Sequence, residues 1–229
     1  MGNSLLTGAT GGIGKVIARR LHDRGDTLFL LGRDGGALEA LAKEFPGSEV
    51  LVADVGRPAD LAGELAHRLP ARLDAVVHCA GTVDLGPVAE LGPDVWQNQL
   101  AVNLAGPAEL TRLALPAVRA AYGHVLFVNS GAGLTAHAGW SAYAASKFGL
   151  RALADALRAE EHGNGVRVTS VYPGRTATAM QEKVHRQEGA DYEATEWIQP
   201  ESVASAVMAA LDLPRDAEVT DLTVRPGLR

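Results

Sequence analysis

Seven short apolar runs separated by longer segments of helical period pass through this chain, and that alternation restricts its fold more than any other feature. Residues 4–7, 27–31, 49–53, 73–77, 124–129, 166–172 and 219–224 read as strands. Between them Ile13, Ile17 and Leu21, then Leu38, Leu41 and Phe45, recur at helical spacing. Helices are also expected over 59–69, 93–121 (broken or kinked near Pro107 and Pro116), 141–161 and 202–213. Strands alternating with helices require a parallel sheet covered on both faces. In such a sheet the polar, irregularly helical stretch 179–199 would lie over a pocket beyond the carboxyl ends of the strands, as a lid.

The first run breaks at Gly8-Ala9-Thr10-Gly11-Gly12-Ile13-Gly14, and a helix follows until Gly25. Backbone amides at such a helix start attract a pyrophosphate, and the glycines let phosphates come close. Taken alone, the run fits an ordinary tight turn equally well. The second run ends at Gly32-Arg33-Asp34. An acid there would bond the ribose hydroxyls of NAD, but Gly32 stands in its place and Arg33 can offer a charge-assisted contact to a 2′-phosphate.

A second cluster lies later in the chain. Tyr143 and Lys147 are four apart on an expected helix, so they share a face. A free phenol titrates near ~10, and a fixed cation beside it favours the phenolate. Ser130, at the end of the fifth run, could aim its hydroxyl at the same spot. A carbonyl oxygen placed there would meet a serine donor and a tyrosine acid together, as reduction of a ketone requires.

The serine, the Tyr-x-x-x-Lys pair and the Thr7-Gly8-x-x-x-Gly12-Ile13-Gly14 turn, in this order, resemble the short-chain dehydrogenase/reductase family, over essentially all 229 residues. The resemblance implies one doubly wound Rossmann domain over 1–229, with a mostly parallel seven-stranded sheet. It implies an oxidoreductase that passes hydride between a nicotinamide and a carbonyl or secondary alcohol. Tyr143 would act as the acid and base, Ser130 would hold the substrate oxygen, and Lys147 would tune Tyr143 and grip the nicotinamide ribose. Asn103 would hold a water that links Lys147 to solvent.

Cofactor contacts follow from the same resemblance. Gly8, Thr10, Gly11, Gly12, Ile13 and Gly14 would cradle the phosphates, Asp54 would meet the adenine amino group, and Val55 would pack on its ring. Ala80 and Gly81 match the family, although His78 and Cys79 replace two asparagines before them. Pro173 and Gly174 would flank the nicotinamide, and Thr178 with Thr176 would grip its carboxamide. With Arg33 in place, NADP(H) is the expected cofactor and NAD(H) the second choice. The family also implies a homo-oligomer, dimer or tetramer, paired through the helices around Asn103 and Tyr143.

Composition narrows the remaining classes. The 21 Lys and Arg against 27 Asp and Glu disfavour a general nucleic-acid or anionic-membrane surface. No run of ~18 apolar residues could span a bilayer, and no basic-then-apolar leader opens the chain, so a cytoplasmic location is expected. A single Cys79, beside His78 but without partners at ligand spacing, argues against a disulfide or a metal site. A dinucleotide-sensing regulator on the same fold is the alternative, but it would not need Ser130, Tyr143 and Lys147 together. The substrate is expected to be a small carbonyl or alcohol, in an apolar pocket to which Leu134, His137, Trp140, Met180 and Trp197 are candidates.

Overall fold

The computed structural model describes residues 2–227. In chain order, the elements are β1 (Asn3–Thr7), α1 (Gly12–Asp23), β2 (Thr27–Gly32), α2 (Gly35–Ala42), β3 (Glu49–Val52), α3 (Leu61–Glu64), β4 (Ala75–His78) and α4 (Pro93–Leu100). After them come α5 (Gly106–Ala121), β5 (His124–Val128), α6 (Ser141–Glu161), β6 (Arg167–Pro173), α7 (Ala179–Glu188), α8 (Pro200–Leu211) and β7 (Asp221–Val224). The strands form one seven-stranded sheet in the order β3-β2-β1-β4-β5-β6-β7, and every pairing is parallel. This is the doubly wound α/β sheet that the alternation requires. The strand order reverses between β1 and β4, where such folds open a crevice at the carboxyl edge.

Side-chain alternation along the strands feeds two cores. Leu6, Leu28 and Leu30 pack with Ile17 and Leu21 of α1, Leu38 of α2, and Val203 and Val207 of α8. Their neighbours Leu5, Phe29 and Leu31 point the other way, onto Leu110 and Val118 of α5 and Leu150 and Leu157 of α6. β4 and β5 are buried at every residue, as expected of strands sandwiched between helices.

One expected helix is corrected, and a second is interrupted near Pro107 as expected but continues through Pro116. The stretch 59–69 holds only a 3₁₀ turn (Pro58–Asp60) and the single turn of α3. Gly63 weakens the helix there, and His67 turns the chain away with a φ of 59°. The stretch 93–121 is divided by a π-helical segment, Ala101–Ala105, between α4 and α5. Pro107 occupies the first turn of α5, where its missing N–H costs least, whereas Pro116 lies inside α5 without ending it. The last helix begins earlier than expected, with Pro200 at its first position.

Candidate active site

The carboxyl edge of the sheet opens into a cavity of about 1100 Å³. Its walls include Gly8, Thr10, Gly11, Gly12, Ile13, Gly14, Arg33, Asp54, Val55, Ala80, Gly81, Ser130, Tyr143, Lys147, Pro173, Gly174, Thr176 and Thr178. Every expected site residue except Asn103 therefore faces one space. Of the expected apolar lining, His137, Trp140 and Met180 are present, and Leu134 and Trp197 are not among the lining residues.

At one end of the cavity, the glycine turn is shaped by close backbone approach. Gly8 has a φ of +71°, and a Cβ on it would lie 2.7 Å from the Ala80 nitrogen. A Cβ on Gly14 would collide with the Gly8 carbonyl oxygen. Thr7, the first residue of the glycine motif, pins the turn to the neighbouring strand: its Oγ1 accepts from the Cys79 and Ala80 N–H groups, each at 3.1 Å. α1 starts without a side-chain cap, and its i to i−4 ladder begins with Lys15 N–H donating to the Gly11 carbonyl at 2.8 Å. The N–H groups of Gly12, Ile13 and Gly14 are thus left over at the positive end of the helix, an anion site by construction.

Arg33 is exposed at the rim, with no hydrogen bond or ion pair among the described residues. Its neighbour Asp34 is committed elsewhere, since its Oδ1 accepts the Ala37 N–H at 2.9 Å and caps α2. Asp54 uses Oδ1 to accept the Gly56 N–H at 2.8 Å. Thr178 caps α7 by accepting from the Gln181 N–H, and its own hydroxyl donates to the Thr176 carbonyl.

Ser130, Tyr143 and Lys147 form the other wall. Ser130 follows β5 by two residues and accepts the Ala132 N–H at 3.1 Å, and its hydroxyl also bonds the Tyr143 phenol. Lys147 is buried, lies 5.9 Å from the Tyr143 ring centre and donates to the Val128 carbonyl at 3.2 Å. Burial pushes Lys147 down to about 8, because a charged ammonium is poorly solvated there. The expectation that Lys147 lowers Tyr143 is corrected: burial raises the phenol above its ordinary value, and only the Ser130 hydrogen bond pulls it back. The two groups titrate from unusual positions for the same reason, loss of water.

Asn103 lies behind this wall, fully buried. Its amide donates to the Thr82 carbonyl at 2.9 Å and the Ser146 hydroxyl at 3.0 Å, and its Oδ1 accepts the Thr82 N–H at 2.9 Å. Ser146 in turn donates to the Tyr143 carbonyl at 2.7 Å. The side chain thus joins the π segment, the loop after β4 and the Tyr143–Lys147 stretch of α6. Its backbone carbonyl is different: the residue four further on is Pro107, which has no N–H to give. Asn129, also missed from sequence, is buried and donates to the Lys147 carbonyl at 3.2 Å.

The replaced asparagines have structural duties. His78 stacks on Phe127 with ring centres 4.8 Å apart and bonds Thr111 at 2.9 Å, and burial drives it down to about 3. Cys79 is pushed up to about 12 by burial and so holds its proton. On the remaining wall, Trp140 meets the Tyr143 ring edge-on at 5.9 Å. Arg175 and Glu188 pair there at 2.7 Å, and neither carries a sequence signal.

Known proteins agree with this geometry. The sequence profile of the short chain dehydrogenase family matches residues 3–189. The short-chain type dehydrogenase/reductase y4eK of Sinorhizobium fredii is 33% identical over 228 residues, covering 97% of this chain and 90% of its own. The NADP-dependent 3-hydroxy acid dehydrogenase YdfG of Salmonella typhi is 32% identical over 234 residues, covering 97% and 94%. Among solved structures, the closed form of a serine dehydrogenase complexed with NADP+ superposes with a TM-score of 0.87 at 28% identity, over 99% of this chain and 98% of that one. With its parallel sheet, its uncapped glycine turn and its serine, tyrosine and lysine on one cavity, this chain belongs to the short-chain dehydrogenase/reductase family of oxidoreductases.

Proposed function

We propose that this chain reduces a carbonyl compound, or oxidises the matching secondary alcohol, with NADP(H) as cofactor. The observation that carries this reading is the convergence of Ser130, Tyr143 and Lys147 on the cavity that the glycine turn also lines. The cavity suits a phosphorylated dinucleotide, since the amides opening α1 are free for a pyrophosphate and Arg33 is free for a 2′-phosphate. Similarity to an NADP-dependent relative and to a complex with NADP+ supports the same choice. When bound, the reduced nicotinamide supplies hydride to the carbonyl carbon.

The chain's own residues do the proton chemistry. Ser130 donates a hydrogen bond to the substrate oxygen while negative charge grows on it. Tyr143 gives that oxygen its proton, and the Ser130 hydroxyl, hydrogen-bonded to the phenol, helps hold the phenolate left behind. Because Lys147 sits near 8, it can lose and regain a proton at little cost at neutral pH. The Asn103 carbonyl, with no i+4 N–H to accept because Pro107 stands there, holds the water through which Lys147 is recharged. Residues 179–199, with α7 at their start, act as the lid that excludes bulk water. The joint retention of serine, tyrosine and lysine favours turnover over dinucleotide sensing.

A screen of ketones, quinones, hydroxy acids and acyl thioesters, with NADPH and NADH, reads the activity from nicotinamide absorbance. Tyr143→Phe keeps the ring and removes the acid, so kcat should fall by about three orders of magnitude with cofactor affinity retained. Retention of more than about a tenth of turnover would refute the role of Tyr143. The proposal extends to a homo-oligomer paired through the helices around Asn103 and Tyr143. Sedimentation of a single 23.9 kDa species at micromolar concentration would remove that part.

A further inference from the structure

Arg175 lies in the loop after β6 and lines the cavity, yet no step of the proposed reaction uses it. Its guanidinium carbon lies 5.7 Å from the Trp140 ring centre and 5.5 Å from that of Trp197. Its two terminal nitrogens each donate to one Glu188 carboxylate oxygen, both at 2.7 Å. The Trp140 indole N–H donates to the same carboxylate. The participants come from separate places: the loop after β6, the last residue of α7, the stretch before α8 and the residue that precedes α6.

A single exposed ion pair would not justify much, since such pairs add little to stability. This one is bidentate, with side-chain exposures of 34% and 26%, and stacked against two indoles, a geometry that lysine could not reproduce. It also reaches the reacting group. Trp140 touches Tyr143 edge-on, and its carbonyl accepts the Ala144 N–H at 2.8 Å in the first turn of the catalytic helix. α7 is also tied to the loop after β4, by Lys183 to Asp84 at 2.6 Å and by Gln187, which accepts the Leu85 N–H at 3.2 Å and donates to Asp84 at 3.3 Å, and Val184 packs in one cluster with Val83 and Tyr143.

We propose that Arg175 is a positioning residue, which locks α7 over the cavity through Glu188 and holds Trp140 against Tyr143, so that the acid stays oriented in a water-poor space. The catalytic part of this inference rests on the oxidoreductase reading above; the locking part does not. Removal of the lock should therefore be felt in the mobility of α7 and of the start of α6, and in kcat, but little in cofactor affinity.

The test compares Arg175→Met, Arg175→Lys, Glu188→Gln and the Arg175→Met/Glu188→Gln double variant, with Arg186→Ala as a control whose ion pair with Glu182 stays within α7. Amide hydrogen exchange over 179–188 and 144–147 should speed up about tenfold in Arg175→Met and in Glu188→Gln, and no further in the double variant. With NADPH and the best carbonyl compound of the screen, kcat should fall about tenfold while the NADPH Kd moves less than about twofold. Arg175→Lys should lie between, and Arg186→Ala should behave as wild type. Unchanged exchange at 144–147, additive effects in the double variant, or full kcat despite a loosened α7 would each overturn the inference. If wild type turns over nothing in the screen, the oxidoreductase reading fails, and exchange at 144–147 alone decides the positioning. Should Arg175→Met not fold, Arg175→Lys and Glu188→Gln carry the same comparison.

Discussion

Lys147 and Arg33 are the two cations of the cavity whose roles differ most sharply in burial. Lys147 is buried and drawn down to about 8, so Lys147 should titrate within reach of neutral pH. In the proposed mechanism, protonated Lys147 feeds the proton used in carbonyl reduction, and its neutral form takes up the one released in alcohol oxidation. Reduction should therefore fall, and oxidation rise, as pH passes upward through about 8. Lys147→Arg keeps a cation that does not titrate in this range, so the break near 8 should vanish from the profile. A break that stays in the arginine variant would exclude Lys147 as its source. Arg33 stands instead at an exposed rim, where the proposed function makes it the selector of the cofactor. A charge-assisted hydrogen bond contributes ~1.5–3 kcal/mol, so Arg33→Ala should cut NADPH preference in kcat/KM by about ten- to a hundredfold. Equal efficiency with NADH in wild type, or no loss specific to NADPH in the variant, would return Arg33 to an ordinary loop residue. Arg33 was legible because it is placed by a strand end. Arg175 was not, because its partners Trp140, Glu188 and Trp197 are brought to it only by the fold.

Elements were legible where period and burial agree. The apolar spacing along α1 and α6 matches the buried stripes that the structure shows, and both helices stand where that spacing puts them. Between 59 and 69 the same logic fails instructively. Leu61 and Leu65 are buried in the core, so their spacing reported burial correctly, but the chain reaches both with one turn of helix and then a left-handed His67. The π segment had only Pro107 to announce it, and a proline can mean a kink, a start or nothing, as Pro116 demonstrates inside α5. Tertiary contact decides the difference. α5 begins at Gly106, where a Cβ would collide with the Val55 carbonyl, so the helix start is pressed against the loop that follows the third strand. That pressure, with the missing N–H of Pro107, places Asn103 where its amide braces the loop after β4 and its carbonyl lacks an i+4 donor.

At the scale of the whole molecule, the fold carries two histidines that must stay neutral. His78 is enclosed by Phe127 and Thr111, and His124, paired with Thr169 at 2.7 Å, lies where Arg167, Arg215 and Arg24 also oppose a positive charge. Burial brings both down to about 3 from an ordinary 6.5. The sign follows from linkage. Above 6.5 neither state binds the proton, and stability is unaffected; between 6.5 and 3 the unfolded chain takes protons that the folded chain refuses, so stability falls as pH falls. At pH 5 each histidine should cost about 1–2 kcal/mol, a large share of an ordinary folding free energy. The carboxylates held low by arginine, such as Asp26 and Glu161, oppose folding only at still lower pH, so they do not confuse the comparison. Urea unfolding of wild type should show a clearly lower midpoint at pH 5 than at pH 7. His78→Asn, which removes one titrating group while keeping a polar partner for Thr111, should lose about half of that difference. Equal midpoints at the two pH values in wild type would mean that the buried imidazoles are reached by protons before the chain unfolds.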